Sequence, residues 1–170
     1  MKKVMRIVAD FETNTSEENC RVWGACVCDI DTLEIVHVSN NIGDFITFLE
    51  TNAKKYSLEV YFHNLKFDAE FIIAHLYQNG FKYDDYLATG NTLRTVISDM
   101  KLFYKLESRF TGRRSKIVTI KDSYKIIPLP VKTMAKAFGL KTLKGDIDYD
   151  LNREVDHVIT EEELEYMKND

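Results

Sequence analysis

Apolar residues near the start of the chain follow the spacing of β-strands. They run together or alternate with polar residues over 3–11, 21–30 and 33–39, in segments of strand length. Only a short turn at Asp31-Thr32 separates the second segment from the third. Strands joined by so short a turn pair antiparallel. The pattern therefore predicts a three-stranded antiparallel meander at the start of the fold.

After residue 40 the apolar spacing becomes helical, and helices then alternate with strands. The first predicted helix has four residues on its apolar face: Phe45, Ile46, Phe48 and Leu49. A strand over 58–62 and a helix from about 66 to 79 follow. Gly80 is placed to end this helix, because glycine readily adopts the left-handed conformation of a helix C-terminus.

Shorter elements are predicted in the second half. Strand-like segments occupy 93–97, 102–106 and 117–120, around a turn at Gly112-Arg113-Arg114. Pro128 and Pro130 then interrupt the chain before a helix predicted over 131–138.

The last predicted helix has a distinct start. Thr160 and Glu163 form the capping-box pattern, and Ile159 with Leu164 supplies the hydrophobic staple that accompanies it. Two residues further along this helix, Tyr166 and Asp170, are four positions apart and so share one face.

Strands first, followed by alternating strands and helices, predict an α/β layered domain. At 170 residues the chain has the length of one domain, and it contains no repeats, linkers or low-complexity segments. No apolar stretch reaches the roughly 20 residues of a membrane span. The three cysteines are too few for a four-ligand zinc site, and Cys26 and Cys28 are interpreted as small core residues of a strand. This cysteine usage fits a reducing cytoplasm.

Charge is distributed unevenly along the chain. Residues 101–145 contain 12 Lys or Arg against 2 acids, whereas residues 146–170 contain 10 acids against 2 bases. A basic block in a chain with a net charge of −4 is expected where a phosphate backbone lies beside an acidic, metal-holding centre. The same lysines are also explained as solvated faces of a hairpin and a helix.

Four carboxylates are candidates for that centre: Asp10, Glu12, Asp68 and Asp170. Asp10 and Glu12 point to the same side of a predicted strand. Each acid alone has an ordinary explanation, since a strand end is solvated and the first turn of a helix favours negative charge. Together, four oxygen ligands without cysteine suit Mg²⁺ or Mn²⁺. Two such ions about 4 Å apart are suited to phosphodiester cleavage.

The segments that carry these acids resemble the ExoI, ExoII and ExoIII motifs of the 3′–5′ exonuclease domain of family B DNA polymerases. They are Asp10-Phe11-Glu12-Thr13, Asn64-Leu65-Lys66-Phe67-Asp68 and Tyr166-Met167-Lys168-Asn169-Asp170. Other blocks are similar to the protein-primed branch, the replicases of small linear-genome phages. These are Cys20-Arg21-Val22-Trp23, Tyr61-Phe62-His63-Asn64, Pro130-Val131-Lys132 followed by Ala135-Lys136, and Leu143-Lys144-Gly145-Asp146-Ile147-Asp148-Tyr149. The resemblance implies a ribonuclease-H-like α/β fold, with a mixed sheet flanked by helices and the strand of Asp10 and Glu12 central in it.

The resemblance also implies roles for the acids. Asp10, Glu12 and Asp170 would hold a first Mg²⁺ or Mn²⁺ ion, Asp10 would bridge to a second ion, and Asp68 would act on the second. The Tyr166 hydroxyl would face the attacking water or the scissile phosphate, and Lys144 a phosphate oxygen. From the residues alone, Tyr166 is also explained as a packed aromatic, and Lys144 as one more cation in a basic stretch.

The resemblance further implies a binding set for the 3′ end of single-stranded DNA: Thr13, Tyr61, His63, Asn64, Phe67, Phe71, Ser123 and Tyr124. Such a set supplies aromatic faces for bases and polar groups for the backbone. His63 is also explained as a satisfied strand-end histidine, and one of Phe67 and Phe71 must pack inward. The family often has leucine where Tyr124 stands, so the contact of Tyr124 stays open.

The polymerase motifs of the family do not occur in these 170 residues, which stop at the aspartate of the third motif. We therefore expect one proofreading exonuclease domain over 1–170, either free-standing or part of a longer replicase. If it is part of a longer chain, a polymerase domain is an expected partner. The resemblance also implies a separate terminal (priming) protein as a partner. No membrane partner is expected, and the location implied is the cytoplasm of a bacterial host. Because Asp170 would lie at a fraying helix end, we expect weak occupancy of at least one ion position.

Two other functions remain open. One is an exoribonuclease of the same acidic-tetrad superfamily. The other is a catalytically weak module that binds single strands or a replication partner. The presence of all four acids favours catalysis.

Overall fold

The computed structural model describes most of the chain. The described residues are 3–14, 16, 18–88, 90–97, 104–110, 116–140, 147–149, 151–155 and 157–169. The predicted turn at Gly112 and two predicted site residues, Lys144 and Asp170, lie outside these ranges.

The described residues form an eight-stranded mixed sheet in the order β3-β2-β1-β4-β8-β7-β6-β5. The strands are β1 (Val4–Asn14), β2 (Arg21–Asp29), β3 (Ile35–Ser39), β4 (Ser57–Phe62), β5 (Lys82–Tyr83), β6 (Thr92–Ile97), β7 (Tyr104–Arg109) and β8 (Ile117–Asp122). β1 pairs antiparallel with β2 and parallel with β4, which pairs parallel with β8. The strand that carries the first two acids is therefore interior, with a partner on each side.

Four α-helices and one 3-10 helix complete the described elements. They are α1 (Ile42–Ala53), α2 (Leu65–Gln78), α3 (Val131–Ala137), α4 (Glu161–Lys168) and the 3-10 helix Ser123–Lys125. None of the helices in the described part of the chain has the length and apolar character that a membrane crossing requires.

The main core lies between the sheet and helices α1 and α2. Alternate residues of β1, namely Ile7, Ala9 and Phe11, belong to it together with α1 and β4. The Phe11 ring meets the rings of Phe45 and Phe62 edge to face, with centroids 4.9 and 5.0 Å apart. Because strand side chains alternate, Asp10 and Glu12 point away from this core, to the other face of the sheet.

A smaller cluster covers that other face beside β2. Cys26 of β2 packs there with Tyr166 and Met167 of α4, so helices lie on both faces of the sheet. Burial raises the pKa of the Cys26 thiol to about 11, as expected for a small core residue. Cys28, two residues along the strand, is only partly buried.

The observed elements follow the predicted order closely. The meander is present as β3-β2-β1, and Gly80, with φ +80°, follows the C-cap of α2 as predicted. β3 starts two residues later than predicted, because Leu33 adopts φ 61° and its amide closes a turn on the Asp29 carbonyl at 2.8 Å. Neither the two-residue β5 nor the 3-10 helix was predicted, since both are too short for a periodic pattern.

Candidate functional site

The second half of β1 carries two carboxylates that line one pocket. Asp10 is half-buried and Glu12 is 7% exposed, and both line this pocket, whose volume is about 390 Å³. They reach it together because they are two residues apart on an extended strand. The prediction that they share a face is confirmed.

α2 adds the third carboxylate. Asn64 precedes this helix in the left-handed conformation, with φ 69° and ψ 50°, so the chain turns sharply from β4 into α2. Asp68 then lies in the first turn, 5% exposed, and lines the same pocket. The remaining lining comes from β1, from both sides of the turn before α2 and from the start of α3: Val8, Ala9, Phe11, His63, Asn64, Phe67, Pro130, Val131 and Lys132.

The chemistry of these donors suits a hard cation. Asp10, Glu12 and Asp68 offer only carboxylate oxygens, which Mg²⁺ and Mn²⁺ prefer. Among the described residues, no three His, Cys, Asp or Glu side chains are grouped closely enough to form a metal site by themselves. The fourth predicted ligand, Asp170, lies outside that part of the chain, so the complete ligand set stays a prediction.

Asp122, at the end of β8, fixes the turn that carries the predicted DNA-binding residues. It is 2% exposed, and its Oδ1 accepts hydrogen bonds from the backbone amides of Asn64 and Tyr124, both at 3.0 Å. The Ser123 hydroxyl donates to the Phe62 carbonyl at 3.0 Å. The turn after β4 is thus held by the residues that follow β8, its parallel neighbour in the sheet.

His63 is bonded at both ring nitrogens. Its Nε2 donates to the Leu129 carbonyl at 2.8 Å, and its Nδ1 lies 3.2 Å from the Ser123 hydroxyl. The ring also meets Tyr124 edge to face, with centroids 5.3 Å apart. His63 is therefore a satisfied strand-end histidine that also lines the pocket, so both interpretations of it are compatible.

Two phenylalanines differ in burial as expected. Phe67 is 52% exposed and lines the pocket, whereas Phe71 packs against the main core. Their rings are in contact, 5.8 Å apart between centroids. About half of Phe67 is therefore exposed at the pocket, while the Phe71 ring packs against it from the side of the core.

Tyr61 and Thr13 lie on the strands rather than in the pocket lining. The Lys121 ammonium lies 5.4 Å from the centroid of the Tyr61 ring. Thr13 follows an irregularity in the pairing of β1 with β2, where the register shifts between Glu12 and Thr13.

Tyr166 is buried in the small cluster, and its hydroxyl is hydrogen-bonded to that of Tyr149. It is outside the set of described residues that line the pocket. Its predicted role against water or phosphate stays a prediction, as does that of Lys144, which lies outside the described residues.

A buried charged group in the first turn of α4 was not predicted from the sequence. Glu163 binds Arg153 and His157, each at 2.6 Å, and accepts from the Thr160 amide at 2.9 Å. Burial works against its negative charge, but these donors prevail and lower the pKa of Glu163 to about 2. The capping-box pattern was the only signal in the sequence that Glu163 has a structural role.

Most of the chain matches one known protein family. A family described as "DNA polymerase type B, organellar and viral" matches residues 49–170. The chain belongs to the type B DNA polymerases.

Several phage type B polymerases are similar to the chain. Those of Bacillus phages Nf and phi29 are each 42% identical, over 163 and 165 residues, which is 95% of this chain. The polymerase of Streptococcus phage Cp-1 is 30% identical over 148 residues, 80% of this chain and 23% of its own length. The chain spans 28% of the length of the Nf and phi29 polymerases.

Solved structures of a type B polymerase share the fold. Phi29 DNA polymerase complexed with single-stranded DNA matches with a TM-score of 0.86 at 39% identity, over 97% of this chain and 29% of that one. Its ternary complex with primer-template DNA and incoming nucleotides matches with a TM-score of 0.85 over 99% of this chain. The expected ribonuclease-H-like fold, and the resemblance to the exonuclease region of the protein-primed branch, are confirmed.

Proposed function

We propose that the chain is a metal-dependent 3′–5′ exonuclease that shortens single-stranded DNA, as the proofreading domain of a phage-type polymerase. The observation that carries the proposal is that Asp10, Glu12 and Asp68 all line one pocket of a ribonuclease-H-like fold. Two distant segments, β1 and α2, supply these acids. Three carboxylates in one pocket repel an anionic substrate unless cations lie between them and the substrate.

Asp10, Glu12, Asp68 and, from the sequence, Asp170 would hold two Mg²⁺ or Mn²⁺ ions. Bound there, the ions would make a water nucleophilic at neutral pH and offset charge on the phosphate. The burial of Glu12 and Asp68 restricts their side-chain rotamers, so the two carboxylates are already in position before a metal ion binds.

The rim of the pocket suits a single strand. Phe67 offers a half-exposed ring for stacking a terminal base, and Asn64 offers an amide in a fixed backbone turn. Lys132, in the first turn of α3, adds a cation for the phosphate backbone. Similarity to phi29 polymerase, whose complex with single-stranded DNA is known, supports DNA as the substrate.

The partners follow from the same family. We propose that a polymerase domain works with this one, because the phage relatives are more than three times longer than the matched region. A terminal protein and the cytoplasm of the bacterial host are further proposals, which rest on the resemblance to the protein-primed branch alone.

The test is degradation of a 5′-labelled single-stranded oligonucleotide with Mg²⁺ or Mn²⁺. We expect a ladder that shortens from the 3′ end, and none with EDTA or in the Asp10→Ala/Glu12→Ala variant. Asp31→Ala/Glu34→Ala is the matched control, since it removes two exposed acids from the β2–β3 turn. Degradation that survives in the Asp10→Ala/Glu12→Ala variant would refute the assignment.

A matched RNA oligonucleotide in the same assay separates a deoxyribonuclease from an exoribonuclease. If neither substrate is shortened, the assay is repeated with residues added after Asp170. Binding without cleavage in both forms would favour the non-catalytic module.

A further inference from the structure

Arg153 is a buried cation between α4 and the sheet. It is 3% exposed, and its Nε donates to the Glu163 carboxylate at 2.6 Å. Its guanidinium carbon lies 4.1 Å from the centroid of the Trp23 ring, and its Nη1 donates to the carbonyls of Asp148 and Leu151, each at 3.0 Å. Buried ion pairs seldom add stability over apolar residues of similar volume, so such a pair calls for another reason.

The backbone of Arg153 is bonded to the end of β1. The Asn14 side chain donates to the Arg153 carbonyl at 2.8 Å and accepts from the Arg153 amide at 3.2 Å. Asn14 is the last residue of the strand that carries Asp10 and Glu12. One residue therefore ties the acidic strand to α4, through its backbone on one side and its side chain on the other.

The other end of α4 is packed against Gly24, the residue of β2 that pairs with Glu12. Gly24 of β2 pairs with Glu12 of β1, and the Met167 side chain of α4 lies over Gly24. A Cβ atom at position 24 would lie 2.9 Å from the Met167 sulfur and 3.3 Å from the Glu12 Cβ. Met167 and Glu12 therefore border the same small space beside Gly24, which links the placement of α4 to the surroundings of Glu12.

We propose that Arg153 and Glu163 are positioning residues of the candidate site. Their buried pair sets the placement of α4, and with it Tyr166 and the segment leading to Asp170, relative to the acids of β1. The inference rests on the proposed exonuclease function. Both residues are outside the set of described residues that line the pocket, so they act through α4 and β1. The planar guanidinium of arginine fixes the direction of its hydrogen bonds as well as their length, whereas the ammonium of lysine does not fix their direction.

Two variants separate positioning from helix stability. Glu163→Gln removes the charge but keeps an oxygen for the capping box, and Arg153→Lys keeps the charge but removes the planar fork. Glu162→Gln is the control, because it removes an exposed charge from the same helical turn. The readouts are kcat and KM on the 5′-labelled strand with Mn²⁺, and amide hydrogen exchange of α4, α1 and α2.

We expect kcat to fall about 10- to 100-fold in both variants, the usual effect of losing a group that orients metal ligands. KM should stay within about threefold, since the strand-binding rim is untouched. Amides of α4 should exchange faster while those of α1 and α2 keep their protection, and Glu162→Gln should match the original chain.

The inference is overturned if kcat stays within about twofold of the original in both variants. It is also overturned if kcat falls only in step with faster exchange in α1 and α2, because the pair would then supply global stability alone. A chain that shortens no strand before any substitution counts against the exonuclease proposal instead. In that case faster exchange confined to α4 still tests whether Arg153 and Glu163 place this helix.

Discussion

At the scale of single residues, Asp122 connects the fold to the pocket. It is 2% exposed and accepts from two backbone amides, of Asn64 and Tyr124. We expect Asp122→Ala to lower the free energy of unfolding by about 1–3 kcal/mol, the cost of leaving buried donors unsatisfied. Urea denaturation measures this.

The exposed pair of Asp31 with Arg6, at 3.6 Å, supplies the control for that change. Asp31→Ala should cost at most about 1 kcal/mol, because exposed ion pairs contribute little. Equal losses in the Asp31 and Asp122 variants would show that the two amides find other acceptors. They would also remove the case for Asp122 as the residue that shapes the Asn64 turn.

Glu163 makes stability depend on acid pH. Its pKa is about 2 in the folded protein against an ordinary value of 4.5, because the Thr160 amide, Arg153 and His157 outweigh its burial. A carboxyl whose pKa is lowered by folding stabilises the protein above its unfolded pKa and loses that contribution as the pH falls through the folded value. We expect the free energy of unfolding to fall between about pH 4.5 and pH 2 for this reason.

The measurement is urea denaturation at several pH values across that window. In Glu163→Gln the free energy of unfolding should change less with pH, because glutamine does not titrate. Glu162→Gln, with an exposed carboxyl, should leave the slope as it is. An unchanged slope in Glu163→Gln would assign the acid sensitivity to other carboxyl groups.

At the scale of secondary-structure elements, the turn between β2 and β3 stores strain. Leu33 has φ 61° and is 79% exposed, so its side chain gains little from packing. The left-handed conformation costs a residue with a Cβ on the order of 1–2 kcal/mol. Leu33→Gly removes this strain but increases the conformational entropy of the unfolded chain, which offsets part of the gain. The net result should be a rise in the free energy of unfolding of about 0.5–1 kcal/mol.

Leu33→Ala is the matched comparison, because alanine keeps the Cβ and so the strain. Its stability should stay within about 0.5 kcal/mol of the original in the same urea titration. If glycine and alanine behave alike, the turn is relaxed.

Elements with a regular pattern were predictable, and residues bonded across the sequence were not. The spacing of Asp10 and Glu12 on a strand predicted their common face, and the capping box predicted the start of α4. Nothing in the sequence near Asp122 or Arg153 indicates their distant partners. Asp122 binds the amide of Asn64, and Arg153 binds Asn14, both from far earlier in the chain. Such contacts are set by the order of strands in the sheet, which the pattern of one segment does not contain.

At the scale of the whole molecule, the basic middle of the chain should make strand binding sensitive to salt. Lys132 lines the pocket and is one of the 12 Lys or Arg in residues 101–145. Each phosphate neutralised on a single strand contributes about −0.7 to the slope of log K against log salt concentration. Lys132→Ala should weaken binding and make that slope shallower by about this amount.

Fluorescence anisotropy of a labelled oligonucleotide at several salt concentrations, with the metal withheld, gives the slope without cleavage. Lys54→Ala is the control, because Lys54 is exposed and is not among the residues that line the pocket. It is the C-cap residue of α1 and forms only a weak ion pair with Glu50, at 3.9 Å. A slope that changes equally in both variants would place the strand elsewhere on the surface.

The sheet order also governs when the site comes into existence. β1 pairs with β4, from Val4 with Ser57 onward, and β4 pairs with β8, from Leu58 with Val118 onward. Pairings between such distant segments form late and slowly, because the intervening chain must first give up its freedom. On a ribosome, β1 would wait for its last supports, Arg153 and α4, which emerge after all the strands of the described sheet. A site assembled in this order lacks its full support until α4 has emerged, even though its first two acids are made at the very start.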